Sequence, residues 1–308
     1  MAKTLTAIAP WFGSKRTLAP TIVAELGDHR AYWEPFCGSC AVLLAKPPSA
    51  METVSDLHGD LVNLAQVLAS DRWADLAERM QRTILCEAVF HQCQAAMGDG
   101  GPADLAASVR QVQDRHVERA WAYLVASWAG RNGMAGMPAY NATIAVRYTA
   151  GGGSSAARFR NVGDSIPFWH ERLRNVLVLC RDGFEVLARI QDAEGTAMYV
   201  DPPYFATSRG TGRKRGSPGG SRYLFDFEDD DHERLAEALN RFERVRVVVS
   251  YYDDPRLGRL YPHPRWTHRA VHRQKNLHVQ NRRGAGKCTA PEILLINGPS
   301  RVKEGEKP

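Results

Sequence analysis

Six short apolar segments with the β-branched character of strands are spaced along the chain, and most end in a small or acidic residue. They are Ala31–Glu34, Glu52–Asp56, Asn175–Cys180, Ala197–Asp201, Val245–Ser250 and Glu292–Ile296. Between most of them, apolar residues recur at helical spacing, as at Leu61, Leu64 and Leu68. Short strands that alternate with helices are typical of a mostly parallel sheet covered by helices on both faces. The pattern therefore predicts an α/β fold.

The alternation of strands and helices breaks down between residues 70 and 174. Helical periodicity predicts two long helices there, over Asp75–Gln94 and Asp104–Trp128. The turn signal Asn132-Gly133 and the alternating residues of Ala142–Thr149 predict a β-hairpin after them. We therefore interpret residues 71–174 as an inserted, mainly helical domain, with residues 1–70 and 175–308 forming the main domain around it.

Charge is distributed unevenly along the chain. The whole chain carries +6, whereas residues 205–308 contain 21 Lys and Arg against 13 Asp and Glu, a local balance of +8. This asymmetry indicates either an anionic partner, typically nucleic acid, or a solvated basic surface. A glycine-rich stretch over residues 208–222 predicts a loop that stays flexible until an anion orders it. Its cations are Arg209, Arg213, Lys214, Arg215 and Arg222.

Composition and hydropathy bound the class of protein. Hydrophobic residues make up 44% and charged residues 24%, proportions typical of a soluble globular protein. No apolar run approaches the roughly 20 residues of a membrane span. The first ten residues also lack the pattern of a secretory signal. We therefore expect a cytoplasmic protein without a membrane partner.

The motif Asp201-Pro202-Pro203-Tyr204 directly follows a predicted strand. In an open parallel sheet, ligands bind at this carboxyl end. The two prolines remove two amide donors, so the Asp201 carboxylate and the Pro202 carbonyl remain as neighbouring acceptors. Such a pair suits an amine on a planar ring, and accepting both hydrogens favours the pyramidal nitrogen that attacks a methyl sulfonium. The alternative interpretation is a structural turn.

Three further segments have the pattern of a nucleotide-like cofactor site. Glu34-Pro35-Phe36-Cys37-Gly38 lies between a strand and a helix, where a glycine lets the backbone approach a cofactor closely. Asp56 ends the next strand, a position from which a carboxylate binds the ribose hydroxyls of an adenosine. Trp11-Phe12-Gly13-Ser14-Lys15 precedes a predicted helix. Each segment alone is also compatible with an ordinary loop.

Together these segments resemble the DNA adenine methyltransferase (Dam-like) family over nearly the whole chain, roughly residues 8–297. The resemblance implies a Rossmann-like S-adenosylmethionine-dependent methyltransferase fold, a bacterial or phage-encoded protein and a catalytic domain formed by residues 1–70 and 175–308. It implies that S-adenosylmethionine is the cofactor and double-stranded DNA the partner. The residues implied to bind the cofactor are Trp11, Gly13, Lys15, Glu34, Pro35, Phe36, Gly38, Asp56, Asp182, Phe184 and Asp201.

The catalytic residues implied by the same resemblance are Asp201, Pro202 and Tyr204, with Tyr204 stacking on an adenine flipped out of the duplex. Cys40 departs from the family pattern, because it stands where the family has a second glycine. Cys37 and Cys40 also form a C-x-x-C pair without a second pair at zinc spacing, which by itself leaves a structural zinc site or a redox pair possible. The resemblance places both cysteines in the cofactor turn instead, so we expect no metal.

DNA contacts are expected from two segments. The inserted domain is expected to read base edges in the major groove, and the basic loop is expected to contact phosphates. Candidate residues in the insert are Arg131, Asn132, Asn141 and Arg147, and those in the loop are the five cations named above.

Three alternatives remain open at this stage. The Asp-Pro-Pro-Tyr chemistry suits any exocyclic amine on a planar ring, so the substrate could be adenine in RNA or the cytosine amine at N4. A DNA-binding relic without catalysis is the third possibility, because Cys40 replaces a cofactor-site glycine. A nicotinamide-dependent oxidoreductase is excluded, because the turn after the first strand lacks G-x-G-x-x-G.

Overall fold

A seven-stranded sheet forms the centre of the protein. The computed structural model describes residues 5–11, 13–97, 111–130, 143–146, 148–149, 153–205, 227–274 and 289–302. The strands of the sheet are β1 (Ala31–Glu34), β2 (Met51–Ser55), β5 (Leu177–Leu179), β6 (Thr196–Val200), β7 (Arg246–Tyr252), β8 (Trp266–Gln274) and β9 (Thr289–Asn297). A separate two-stranded ribbon pairs β3 (Tyr148–Thr149) with β4 (Gly153–Ser154).

The strand order is β5-β2-β1-β6-β7-β9-β8. The first five strands are parallel, and β9 runs antiparallel to both β7 and β8. The chain leaves β1 toward β2 on one side, while β6 lies on the other side of β1. Strand order therefore reverses between β1 and β6, and the crevice at the carboxyl ends of these strands is where such sheets bind ligands.

Ten α-helices, counted over the described residues, accompany the strands. They are α1 (Ala19–Leu26), α2 (Ala41–Ala45), α3 (Gly59–Ala69), α4 (Trp73–Arg82), α5 (Glu87–Ala96), α6 (Asp114–Ala129), α7 (Ser155–Leu173), α8 (Gly183–Arg189), α9 (Asp229–Asn240) and α10 (Leu257–Leu260). A short 3-10 helix spans Lys15–Thr17. No helix within these ranges is long and apolar enough to cross a membrane.

Helices cover both faces of the sheet, as the sequence predicts. Successive residues of β6 point to opposite faces because side chains alternate along a strand. Ala197 and Tyr199 join the core that also contains residues of α1, α2, α3, α6 and α7. Met198 and Val200 join the core formed with α8, α9 and α10. All five residues of β6 are buried, which explains its continuous apolar sequence.

Side chains of the preceding residues cap several of these helices. Ser154 accepts a hydrogen bond from the backbone N–H of Ala157 at the start of α7. Asp182 does the same for Phe184 at the start of α8. Because these caps satisfy amides that a helix start leaves without partners, they fix where each helix begins.

The region predicted as an insert differs in detail from its sequence pattern. The helix predicted over Asp75–Gln94 is two helices, α4 and α5, separated by residues 83–86. Within the described part of the segment predicted as a hairpin strand, Tyr148–Thr149 is strand, and Ile144 forms an isolated bridge with Gly130. The described helices of this region share one hydrophobic core with α3 and the sheet.

Two of the longer elements, α7 and β8, were missing from the sequence-based expectation. The helix α7 contains Pro167, which conceals its helical periodicity. The strand β8 carries Thr267, His268 and Arg269 among its residues, so it lacks the apolar run of the other strands. It lies at the edge of the sheet, where polar side chains can remain in contact with water.

Candidate active site

A cavity of about 390 Å³ opens at the carboxyl ends of β1, β2 and β6. Its volume falls in the range of pockets that enclose small-molecule cofactors, roughly 300–1,000 Å³. Ten of the eleven residues expected at the cofactor line it: Trp11, Lys15, Glu34, Pro35, Phe36, Gly38, Asp56, Asp182, Phe184 and Asp201. The eleventh, Gly13, accepts a hydrogen bond from Lys15 Nζ through its carbonyl oxygen at 2.7 Å.

The turn after β1 brings the glycine of the cofactor segment against two other predicted residues. The Gly38 N–H donates to Asp56 Oδ2 at 2.8 Å, and the second carboxylate oxygen accepts from the His58 N–H at 2.9 Å. Gly38 has a positive φ of 46°, and a Cβ there would lie 3.0 Å from Trp11 Nε1. The turn thus requires glycine both for its backbone conformation and for the approach of Trp11.

Cys40 occupies a backbone conformation that favours glycine. Its φ is 56° and its ψ is 30°, in the left-handed region, and it is the one described non-glycine residue with a positive φ. The position where the family pattern has its second glycine therefore keeps a glycine-like backbone although it carries a buried thiol. No cluster of potential metal ligands is found in the described part of the chain, which contains both Cys37 and Cys40.

Lys15 and Asp201 form an ion pair inside the cavity. Lys15 Nζ lies 2.9 Å from Asp201 Oδ2. The lysine side chain is almost fully buried, and the Asp201 side chain is 22% exposed. The same ammonium lies 3.9 Å from Glu292 Oε1 and 5.0 Å from the centroid of the Tyr204 ring. Glu292 was given no role from the sequence.

Glu34 is a buried carboxyl group beside this ion pair. Tyr32 donates a hydrogen bond from its hydroxyl to Glu34 Oε2 at 2.8 Å. Burial raises the pKa of Glu34 to about 8, and the negative charge of Asp201 acts in the same direction. The hydrogen bond from Tyr32 and the positive charge of Lys46 oppose the rise. A pKa raised in this way favours the neutral form of Glu34 at neutral pH.

An aromatic wall formed by Phe36, Phe184 and Phe227 lines part of the cavity. The rings of Phe184 and Phe227 stack with centroids 5.6 Å apart, and Phe36 meets Phe227 edge-on at 5.8 Å. A Cβ on Gly183 would lie 2.2 Å from the Phe36 ring, so any larger residue there would force that ring to shift. The Arg234 guanidinium lies 4.0 Å from the centroid of the Phe184 ring. This wall is suited to a flat aromatic ligand.

Pro202 and Tyr204 lie beside the cavity without lining it, whereas Pro203 does line it. The Tyr204 ring is buried and packs against Tyr252 at 4.7 Å and Tyr251 at 5.7 Å. All three residues of the expected catalytic set follow β6 in the chain, and Asp201 is the one of the three that lines the cavity. All nine residues expected to contact DNA (Arg131, Asn132, Asn141, Arg147, Arg209, Arg213, Lys214, Arg215 and Arg222) lie outside the described residues.

Several lining residues were missed by sequence reasoning. Two of them lie in helix α9, and a third lies just before that helix. Phe227, Asp231 and Arg234 all border the cavity. Their spacing of four and three residues matches one face of a helix, and α9 begins at Asp229. That periodicity was the available signal, but nothing in the local sequence connects it to the cofactor segments. His58 and Tyr199 also line the cavity and were not predicted from the sequence.

Comparisons with known proteins identify the family of this chain. The sequence model of the D12 class N6 adenine-specific DNA methyltransferase family matches residues 11–276. The Retron Ec67 DNA adenine methylase of Escherichia coli is 26% identical over 307 residues, covering 96% of this chain and 92% of the relative.

A crystal structure of SMU.472 complexed with SAH was also matched, with a TM-score of 0.34 and 9% identity, over 94% of this chain and 54% of that one. That likeness is too low to support an inference. The family match spans most of the chain and includes the cofactor turn, Lys15 and the Asp-Pro-Pro-Tyr motif. The chain belongs to the D12 class of N6 adenine-specific DNA methyltransferases, with S-adenosylmethionine as its methyl donor.

Proposed function

We propose that Asp201, Pro202 and Tyr204 bind an adenine flipped out of double-stranded DNA and activate its amine. The observation that carries this proposal is the Asp201 carboxylate at the end of β6, inside the cavity and at the reversal of strand order. Asp201 and the Pro202 carbonyl accept the two amine hydrogens, which turns the nitrogen lone pair out of conjugation with the ring. Catalysis is then positional and electrostatic, without a covalent intermediate.

The remaining cavity residues fit S-adenosylmethionine. Asp56 already orients the Gly38 turn through one oxygen, and its carboxylate retains acceptor capacity for ribose hydroxyls. The aromatic wall of Phe36, Phe184 and Phe227 suits the flat adenine of the cofactor. Glu34 suits the cationic end, because a positive ligand favours its ionised form. When bound, the cofactor supplies the electrophilic methyl group.

Base flipping is part of the proposal, because the amine cannot reach a buried carboxylate while adenine stays stacked in the duplex. Tyr204 is the stacking partner for the flipped base. Residues 71–174 act as the target-recognition domain, with Arg131, Asn132, Asn141 and Arg147 at base edges. The basic loop over residues 208–222 contacts phosphates. A monomer on DNA suffices for this arrangement, and the bacterial relative favours a cytoplasmic location.

Radiolabelled methyl transfer to unmethylated DNA, followed by nucleoside analysis, tests the proposal. Label in N6-methyladenine with duplex DNA as the substrate supports it. Label in RNA or in N4-methylcytosine would overturn the substrate assignment, and no binding of S-adenosylmethionine would favour a relic without catalysis.

The Asp201→Asn variant tests the acceptor pair at constant shape. Because one acceptor oxygen becomes an amide donor, we expect the single-turnover rate to fall roughly 100-fold or more while cofactor binding changes far less. The Tyr204→Ala variant should slow transfer through lost stacking, whereas Tyr204→Phe should retain most of the rate. Near-normal turnover by Asp201→Asn would show that the acceptor-pair mechanism is wrong.

A further inference from the structure

Lys15 lies between two carboxylates from different strands. Asp201 ends β6, and Glu292 lies on β9, two strands away in the sheet. The distances from Lys15 Nζ are 2.9 Å to Asp201 and 3.9 Å to Glu292. Lys15 and Glu292 are 4% and 1% exposed, so their charges are removed from bulk water. In this environment each charge needs a partner.

The ion pair with Lys15 competes with the function assigned to Asp201. A carboxylate that binds an ammonium at 2.9 Å has fewer lone pairs for the adenine amine, and its charge is neutralised. Moving Lys15 away would normally leave an uncompensated buried ammonium, which is strongly unfavourable. A second carboxylate within reach removes that obstacle, because the cation can change partners without entering water.

We propose that Glu292 is a positioning residue that accepts Lys15 when Asp201 binds the adenine amine. This inference rests on the proposed role of Asp201. Lys15 has two carboxylate partners and pairs with the nearer one, Asp201. As the amine approaches, Lys15 shifts toward Glu292 and Asp201 is released to accept hydrogen bonds.

The position of Glu292 in the sheet is consistent with this role. Glu292 is directly opposite Tyr252 of β7 in the antiparallel register, and the Tyr252 ring packs against Tyr204. Opposed residues of an antiparallel pair point to the same face of a sheet. Glu292 therefore lies on the same face of the sheet as Tyr252, the residue that packs against Tyr204.

Single-turnover methyl transfer by Glu292→Gln is the first test. With Asp201 as the remaining carboxylate partner of Lys15, we expect the rate at saturating cofactor and DNA to fall about tenfold or more. The dissociation constant for S-adenosylmethionine, measured by calorimetry, should change much less than the rate. Glu292→Asp, which keeps the charge, should recover part of the loss.

Glu25→Gln is the matched control, because Glu25 is an equally buried carboxylate with arginine partners outside the cavity. It should lower the melting temperature without changing the single-turnover rate. Equal rates for Glu292→Gln and the wild type would overturn the proposal. So would a Glu292→Gln rate loss matched by Glu25→Gln, because both would then report destabilisation alone.

A double-mutant cycle on the cofactor-free protein gives a readout independent of activity. Urea midpoints of Lys15→Met, Glu292→Gln and the double variant should be non-additive, because each single change leaves the other charge without that partner. Additive midpoints would overturn the pairing. A wild type that methylates no DNA would contradict the proposed function instead, while this cycle would still decide whether Lys15 and Glu292 interact.

Discussion

The backbone N–H of Gly38 donates a hydrogen bond to the Asp56 carboxylate at 2.8 Å, joining the turn after β1 to the end of β2. A second backbone N–H, that of His58, binds the other oxygen. One acidic side chain therefore fixes the shape of the cofactor turn and at the same time lines the cavity. Substitution of Asp56 should consequently affect ligand binding more than substitution of a surface carboxylate.

Asp56→Asn should weaken binding of S-adenosylmethionine about tenfold or more, because an amide group places a donor against one of the two backbone N–H groups. Isothermal titration calorimetry measures the change. Asp192→Asn is the control: Asp192 accepts three backbone hydrogen bonds, from residues 243–245, without lining the cavity. If both variants bind the cofactor as the wild type does, Asp56 does not contact it.

Gly183→Ala should reduce cofactor affinity while leaving the fold intact. The added Cβ would lie 2.2 Å from the Phe36 ring, so that ring, which lines the cavity, must shift. Gly258→Ala is the matched control, because a Cβ there meets nothing within 4 Å. Calorimetric titration of both variants should show a loss only for Gly183→Ala. An unchanged affinity would mean that Phe36 can move without disturbing the cofactor.

Replacement of Cys40 should separate backbone strain from packing. Because Cys40 has a positive φ, Cys40→Gly should be more stable to urea than Cys40→Ala by about 1 kcal/mol. Cys93, buried within α5, should show the opposite order, since glycine in a helix interior is about 1 kcal/mol less favourable than alanine. The same order at both positions would contradict the strain at Cys40.

The stability of the cofactor-free protein should fall as the pH rises through the range in which Glu34 titrates. Burial raises the pKa of Glu34 from 4.5 to about 8, so the folded state holds a proton that the unfolded state releases. The stabilisation by the neutral group is complete below about pH 4.5 and is lost as the pH approaches about 8.

Urea midpoints of Glu34→Gln and the wild type, measured between about pH 5 and pH 8, test this expectation. As the pH rises, the urea midpoint of the wild type should fall relative to that of Glu34→Gln. Glu171→Gln, which alters an exposed carboxyl group, should follow the wild type. A constant difference between Glu34→Gln and the wild type would show that Glu34 does not titrate in this range.

Neutralising Arg213, Lys214 and Arg215 together should weaken DNA binding equally for unrelated sequences and reduce its salt dependence. Phosphate contacts carry no sequence information, so cognate and non-cognate duplexes should lose similar affinity. Fluorescence anisotropy at several salt concentrations measures both effects. A loss confined to the cognate duplex would assign this segment to target recognition instead.

Short segments of sequence determined most of the sheet and most of the cavity lining. The predicted strand Ala31–Glu34 coincides with β1, and the other five predicted strands overlap β2, β5, β6, β7 and β9. Buried parallel strands carry continuous apolar runs, and cofactor turns need glycine and acidic residues at fixed places. These are local requirements, so they are visible without a structure.

The tertiary structure alone decided the contacts between distant segments. Lys15, Asp201 and Glu292 are far apart in the sequence, and only the folded structure brings both carboxylates within 4 Å of the Lys15 ammonium. The raised pKa of Glu34 likewise depends on burial and on the charge of Asp201, neither of which is encoded near residue 34. A sequence pattern specifies what a segment can form, whereas distances and desolvation follow from how the segments pack together.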